Sequence, residues 1–344
     1  MDVSDVSTSK GGIPDAISLY PLRFEPIFQY RLWGGRRLED WLDAKLPDDE
    51  PIGEAWLLSD RDDFPSRVAD GPFKGQTLTE LIERSPNLML GELASQYRKF
   101  PLLLKFLDVQ KMLSVQVHPP DNRTDLIPAG ESGKTEAWVV LEAKPGGRIY
   151  AGLKAGTTDA ALRTLTKQNA DEFLPSFSPL PGQGVFIKAG TIHSLGDGVV
   201  VFEVQQNSDV TFRLYDWDHI DPKTGHKRAL QTEQALACID HAQGAITPVV
   251  PLPETARPVA REQLFNCPKF LLWRLQGATP FEVGTAGSPH ILVCVAGAGN
   301  VQFNGANFAM SKGTVTLLPA SVGACTFAPA GNVVLLEIAI PERT

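Results

Sequence analysis

Short runs of β-branched and other apolar residues, cut at close intervals by 30 glycines and 27 prolines, constrain this chain more than any other feature. Such punctuation is hostile to long helices and suits a sandwich or barrel of short strands. The runs that read most plainly as strands are 112–118, 136–141, 184–187, 199–204 and 211–215, followed by 290–295, 313–318 and 333–338. Within the first, Leu113, Val115 and Val117 alternate with Ser114, Gln116 and His118, so the two sets face opposite ways. Helices are expected only as short additions outside the β core. One is opened by the capping box Thr77-Leu78-Thr79-Glu80 and closed before Pro86, a second covers about 159–168, and a third about 230–239.

A chain of 344 residues exceeds the roughly 250 to 300 at which a single core stops growing, so two cores are expected. Pro251, Pro253 and Pro258 mark a crossover between them. The expected divisions are a flexible segment 1–18, a metal-binding unit 19–250 with helical insertions, and a second unit 251–344. The fold class is mainly β, two jelly rolls with a few short helices inserted, the second of the cupin kind. The second unit has one histidine, His290, too few ligands for a catalytic metal, so it is assigned to packing and shape.

A net charge of −8 excludes a nonspecific nucleic-acid surface, while a few local cations still permit an anionic small substrate. Cys238, Cys267, Cys294 and Cys325 form no C-x-x-C pair and read as small buried hydrophobes. The opening stretch lacks the apolar core of a secretion signal, and the uncharged stretches within 283–311 and 313–336 carry too many glycines and prolines for a membrane helix. These readings predict a cytoplasmic protein without a membrane or nucleic-acid partner.

The chemistry is expected where polar residues interrupt the strand pattern. Gln116 and His118, two apart on one strand, point the same way and can converge on one ion, or they can form the polar outer face of a half-exposed strand. Glu136 opens the next strand, and His193 lies in a turn-rich segment between two others, where it is either a loop residue or a ligand at a barrel mouth. Imidazole, carboxylate and amide oxygen together make a plausible zinc shell with an open position. Glu54 and Trp56 read as strand residues near the site, Lys105 as a charge at a strand edge, and His219, His226, His241 and His290 as surface or core.

The strings LSVQVHPP, GKTEAW, AGTIHSLGDGVVVFEVQQNSDVTFRLYDW, LWGGRRL, IGEAWLLSDR and FPLLLKFLD, in this chain's own numbers 113–120, 133–138, 189–217, 32–38, 52–61 and 100–108, closely resemble type I mannose-6-phosphate isomerases, particularly the short bacterial forms. The resemblance spans 21–240. It implies one zinc per chain, held by Gln116, His118, Glu136 and His193, and reversible conversion of mannose 6-phosphate to fructose 6-phosphate through a cis-enediol. It also places Lys134 and Arg213 at the sugar-phosphate site, on phosphate or in catalysis. Asp209 is one candidate base, and Lys134 is the other if neighbouring cations lower its pKa. The partner is a small sugar phosphate, and the protein is a monomer or homodimer. Two departures from the long-form pattern stand out: Gly133 replaces a histidine before the lysine, and FRLYDW (212–217) replaces R-A-G-L-T. The competing readings are a noncatalytic sugar-binding bicupin and a cupin metal dioxygenase.

Overall fold

Alternation builds the first unit. In the computed structural model, which describes residues 18–47, 49–254 and 259–342, a six-stranded sheet runs in the order Gly184–Ile187, Glu136–Ala143, Val199–Gln206, Leu102–Val109, Ile27–Gly35 and Ile52–Leu58. A five-stranded sheet runs Ser176–Phe177, Arg148–Ala151, His193–Gly196, Val115–Val117 and Phe212–Tyr215. The two sheets face each other. Leu107, Val109, Trp138, Val140, Val185, Val199 and Val201 of the first share a buried cluster with Ile149, Ala151 and Leu195 of the second.

The six-stranded sheet is covered on its other face as well. Ala55, Leu104, Phe106, Ala137, Val139, Phe202 and Val204 pack into a core continuous with Leu272, Ile291, Leu335 and Ile338 of the C-terminal unit. Burial on both faces explains why these strands read as nearly unbroken apolar runs. It also means that a charged residue within such a run is buried.

The C-terminal unit pairs a seven-stranded sheet, in the order Leu22–Arg23, Val315–Leu318, His290–Ala296, Val333–Ala339, Leu271–Gly277, Ala260–Asn266 and Leu252–Glu254, with a four-stranded one. Its first strand comes from the start of the described chain, with Leu22 opposite Leu317. The crossover expected at 251–258 begins as the edge strand Leu252–Glu254, where Pro253 is tolerated because an edge needs no donor on its open side. The remainder of that crossover, 255–258, and all but the last residue of the segment 1–18 lie outside the described residues.

The capping box forms as read: Glu80 N donates to Thr77 Oγ1 at 3.1 Å and Thr77 N to Glu80 Oε2 at 2.7 Å, ahead of the helix Leu78–Arg84. The expected helix 159–168 stops after Asp159–Leu162. Thr164 Oγ1 turns back to Ala161 O at 2.7 Å and Asn169 Oδ1 accepts from Thr166 N at 2.6 Å, local bonds that compete with the helical ladder. The third helix is Thr232–Cys238.

Candidate active site

Strand register sets the positions of the four residues read as ligands. Gln116 lies opposite His193 on one side and Arg213 on the other in the five-stranded sheet. Val115 and Val117 turn outward into a cluster beneath the helices, which leaves Gln116 facing the barrel interior. Glu136, two before Trp138, faces it from the other sheet. His193 is the first residue of its strand rather than a loop residue, and the turn before it is made by Gly190 at φ +87°.

His118, Glu136 and His193 are buried and meet, their ligand atoms all within 4.8 Å of one another. His118 Nε2 is 3.4 Å from Glu136 Oε2, and His193 Nε2 is 3.3 Å from Oε1. Each imidazole has Nδ1 within 2.8 Å of a backbone carbonyl, Val210 O for His118 and Thr191 O for His193, so Nδ1–H donates and Nε2 presents a lone pair inward. Gln116 lies beside the cluster with Nε2 3.3 Å from His193 Nε2, while its Oε1 accepts from Ser114 Oγ at 3.1 Å. Among the described residues this is the one group of three or more histidine, cysteine or acidic side chains with such geometry.

The electrostatics keep these groups ready to ligate. Burial lowers the pKa of His193 to about 3 against the pull of Glu136, and burial followed by the Lys134 charge lowers that of His118. Burial alone would raise Glu136, but Lys134, His118 and His193 together hold it well below its ordinary value. Neither Glu136 oxygen accepts a hydrogen bond of normal geometry, although Lys134 Nζ stands 2.7 Å from Oε2. A buried carboxylate with unused lone pairs facing two imidazole lone pairs fits a divalent cation.

The cluster adjoins a cavity of about 420 Å³ lined by, among others, Arg31, Glu54, Lys105, Asp209 and Arg213. Arg213 Nε donates to Ser114 Oγ at 3.2 Å and its NH1 to Ala229 O at 3.2 Å. Asp209 is the most exposed of the residues read as catalytic, at 42% of its side chain. Lys134, by contrast, is 5% exposed, and the structure corrects the condition under which it was to serve as base. Burial opposes its charge, but Glu136, Glu203 and Asp209 outweigh burial and raise its pKa. Its neighbours are carboxylates rather than cations.

Lys105 is a second correction. It is no edge charge: it sits in a central strand, 3% exposed, with Nζ 3.4 Å from Glu203, 3.6 Å from Glu54 and 3.8 Å from Asp209. Trp138, Glu203, Lys105 and Trp56 form one row across four strands, and Trp138 Nε1 donates to Glu203 Oε2 at 2.9 Å. Arg31 grips Glu54 at 2.8 and 3.1 Å. Sequence reading passed over Glu203 and Arg31. The signal for Glu203 was a single charge inside VVVFEVQQ (199–206), a strand too apolar to be half exposed.

Fold and site together define a two-barrel cupin protein with a buried His–Glu–His centre of metal-binding type beside a cavity lined by both cations and carboxylates. Residues 22–135 match the family model for the catalytic domain of type I phosphomannose isomerase. Mannose-6-phosphate isomerase ManA of Bacillus subtilis is 33% identical over 311 residues, covering 88% of this chain and 94% of that protein. The mannose-6-phosphate isomerase of Streptococcus mutans is 32% identical over 310 residues, 89% and 95% of the two chains. The crystal structure of the mannose 6-phosphate isomerase from Bacillus subtilis superposes with a TM-score of 0.83 at 29% identity, over 92% of this chain and 99% of that one. The chain belongs to the type I mannose-6-phosphate isomerase family.

Proposed function

We propose that this protein interconverts mannose 6-phosphate and fructose 6-phosphate at a single zinc held by Gln116, His118, Glu136 and His193. The observation that carries the metal assignment is the buried Glu136 carboxylate set between the inward lone pairs of two imidazoles, its oxygens 3.4 and 3.3 Å from His118 Nε2 and His193 Nε2. Gln116 would offer its amide oxygen in place of the nitrogen it now turns toward His193. Zinc bound there supplies Lewis-acid stabilisation of the negative charge that builds on substrate oxygens as a C–H proton leaves.

The chain's own residues do the rest. Arg213, held by Ser114 and Ala229 on the cavity wall, binds the sugar phosphate and orients it. Lys134 stays charged beside Glu136 and donates hydrogen bonds at the metal end of the cavity. Asp209, the solvent-reaching carboxylate of the lining, is assigned the proton transfer between C1 and C2. The unit 19–250 carries this chemistry and the metal-free unit 251–344 supports it. All four cysteines are free thiols, and among the described residues no helix is long and apolar enough to cross a membrane. The free thiols suit a reducing cytoplasm.

The test is a coupled assay with both sugar phosphates, before and after chelation and after zinc is returned. Activity that disappears and returns supports the reading, and full activity after thorough chelation refutes the metal assignment. If neither sugar phosphate reacts while iron-dependent oxygen uptake appears, the dioxygenase reading replaces it.

A further inference from the structure

Residues 132–135 enter the site without regular secondary structure, yet their backbone is bonded at almost every group. Ser132 O accepts from Ser208 Oγ at 2.8 Å, Gly133 N donates to Asp121 Oδ1 at 2.8 Å, and Lys134 N donates to Pro119 O at 3.0 Å. Thr135 N donates to Gln206 Oε1 at 3.0 Å, and Gln206 N returns a bond to Thr135 O at 3.1 Å. Asp121 also takes Gln206 Nε2 on Oδ1 at 3.1 Å, so one carboxylate holds both partners of the segment. Its other oxygen, Oδ2, pairs with Lys269. Lys269 belongs to the hairpin turn between Ala260–Asn266 and Leu271–Gly277, in the C-terminal unit.

Gly133 belongs to the same device. A Cβ there would stand 2.5 Å from Asp121 N, 2.8 Å from Asp121 Oδ1 and 2.8 Å from Pro119 O. Those are backbone and clamped atoms, which cannot yield without releasing the segment.

We propose that Asp121 is a positioning residue: anchored by Lys269 of the C-terminal unit, it fixes the Gly133–Thr135 backbone so that Lys134 and Glu136 reach His118 in working geometry. Asp121 touches none of the residues read as ligands, so it acts through the segment alone. The proposal rests on the isomerase reading above and gives the metal-free unit a task in catalysis, because the Lys269 ammonium is its direct link to that segment.

The experiment compares Asp121→Ala, Asp121→Asn and Lys269→Met, with Lys99→Met as control. Lys99 lies on the same face but pairs with Asp62. In zinc-loaded protein, Asp121→Ala lowers kcat by about 10- to 100-fold with KM nearly unchanged, the loss expected from misplacing catalytic groups by about 1 Å. Asp121→Asn keeps an oxygen for Gly133 N but turns its NH2 toward Lys269, so it loses the anchor alone and lowers kcat by about 3- to 10-fold, as Lys269→Met does. Lys269→Met lowers kcat by about 3- to 10-fold, and its effect vanishes in the Asp121→Ala background, as for two residues acting through one contact. Zinc affinity, read by competition with a chromophoric chelator, falls about tenfold in Asp121→Ala. Amide exchange quickens in the peptide covering 132–136.

Wild-type kcat and zinc affinity in Asp121→Ala would overturn the proposal, and so would a Lys269→Met protein identical to the control in kcat and exchange. If Asp121→Ala does not fold, Asp121→Asn and Lys269→Met still decide. A wild-type protein inactive on both sugar phosphates sinks the isomerase reading instead, while chelator competition and exchange continue to test the clamp.

Discussion

Replacing Lys105 with methionine removes one buried cation from between three carboxylates while keeping all but the last atom of the side chain's length. The loss is unevenly distributed. Glu54 retains Arg31 at 2.8 and 3.1 Å and Trp56 Nε1 at 2.7 Å, whereas Glu203 retains only the Trp138 donor at 2.9 Å. Breaking a buried ion pair from one side costs about 3 to 5 kcal/mol, and the surviving partners of Glu54 place this case near about 3 kcal/mol. For a chain of this size that lowers Tm by about 4 °C.

The sign of the pH dependence follows from Glu203. Burial, followed by repulsion from Glu136, already raises its pKa, with Lys105 and Lys134 pulling the other way. Without Lys105 the value rises further. The folded variant then holds a proton that the unfolded chain has released, so stability falls as pH climbs from the ordinary glutamate range through the raised value. Thermal melts of both proteins at about pH 5 and about pH 8, with zinc present, measure the effect. The deficit should be full at the higher pH and reduced at the lower. An equal deficit at both, or one below about 1 kcal/mol at the higher pH, would refute the account of Lys105 as the counter-charge of Glu203.

Arg213→Ala should lower kcat/KM by about 100-fold, the scale for losing a group that binds and orients the substrate, with little change in Tm, since its side chain makes only two long bonds. Steady-state kinetics and melting on the same preparation check both halves. Because burial takes His193 to about 3 and also lowers His118, zinc affinity should fall less between about pH 7 and about pH 5 than it would for two normally titrating imidazoles. Normally titrating imidazoles would cost about tenfold each per pH unit, and a chelator competition at both pH values tells the two apart. In the C-terminal unit Glu337 accepts from Arg261 at 2.6 Å, from Gly284 N at 2.7 Å and from His290 at 3.0 Å. Glu337→Gln should cost about 3 kcal/mol, read by denaturant melts. Burial raises its pKa but His290 and Arg261 lower it further, so the contribution of Glu337 is present above the ordinary glutamate pKa and is lost as pH falls through its depressed value.

The strands were legible because each has one or both faces buried, and burial writes itself into sequence as alternation or as an apolar run. The run 184–187 was read with its exact bounds, and 199–204 fell short by two residues of a longer strand. The ligand set was only half legible: period two puts Gln116 and His118 on one face, while Glu136 and His193 stayed open in the residues alone and entered through the resemblance. The helix at 159–168 was overread because side chains of Thr164 and Asn169 bond locally, an outcome that apolar spacing does not register.

Local pattern alone therefore determined a β-rich chain in two units with a polar constellation on particular strands, and ordered motifs added the family. Tertiary structure decided what the charges are worth. That Lys105 is buried, that Lys134 is surrounded by carboxylates, and that Lys269 reaches across from the other unit to Asp121 are facts about sheets stacking and loops meeting. The strength and sign of a charge's influence depend on solvent exclusion and on partners distant in sequence, and neither is set until the chain has closed on itself.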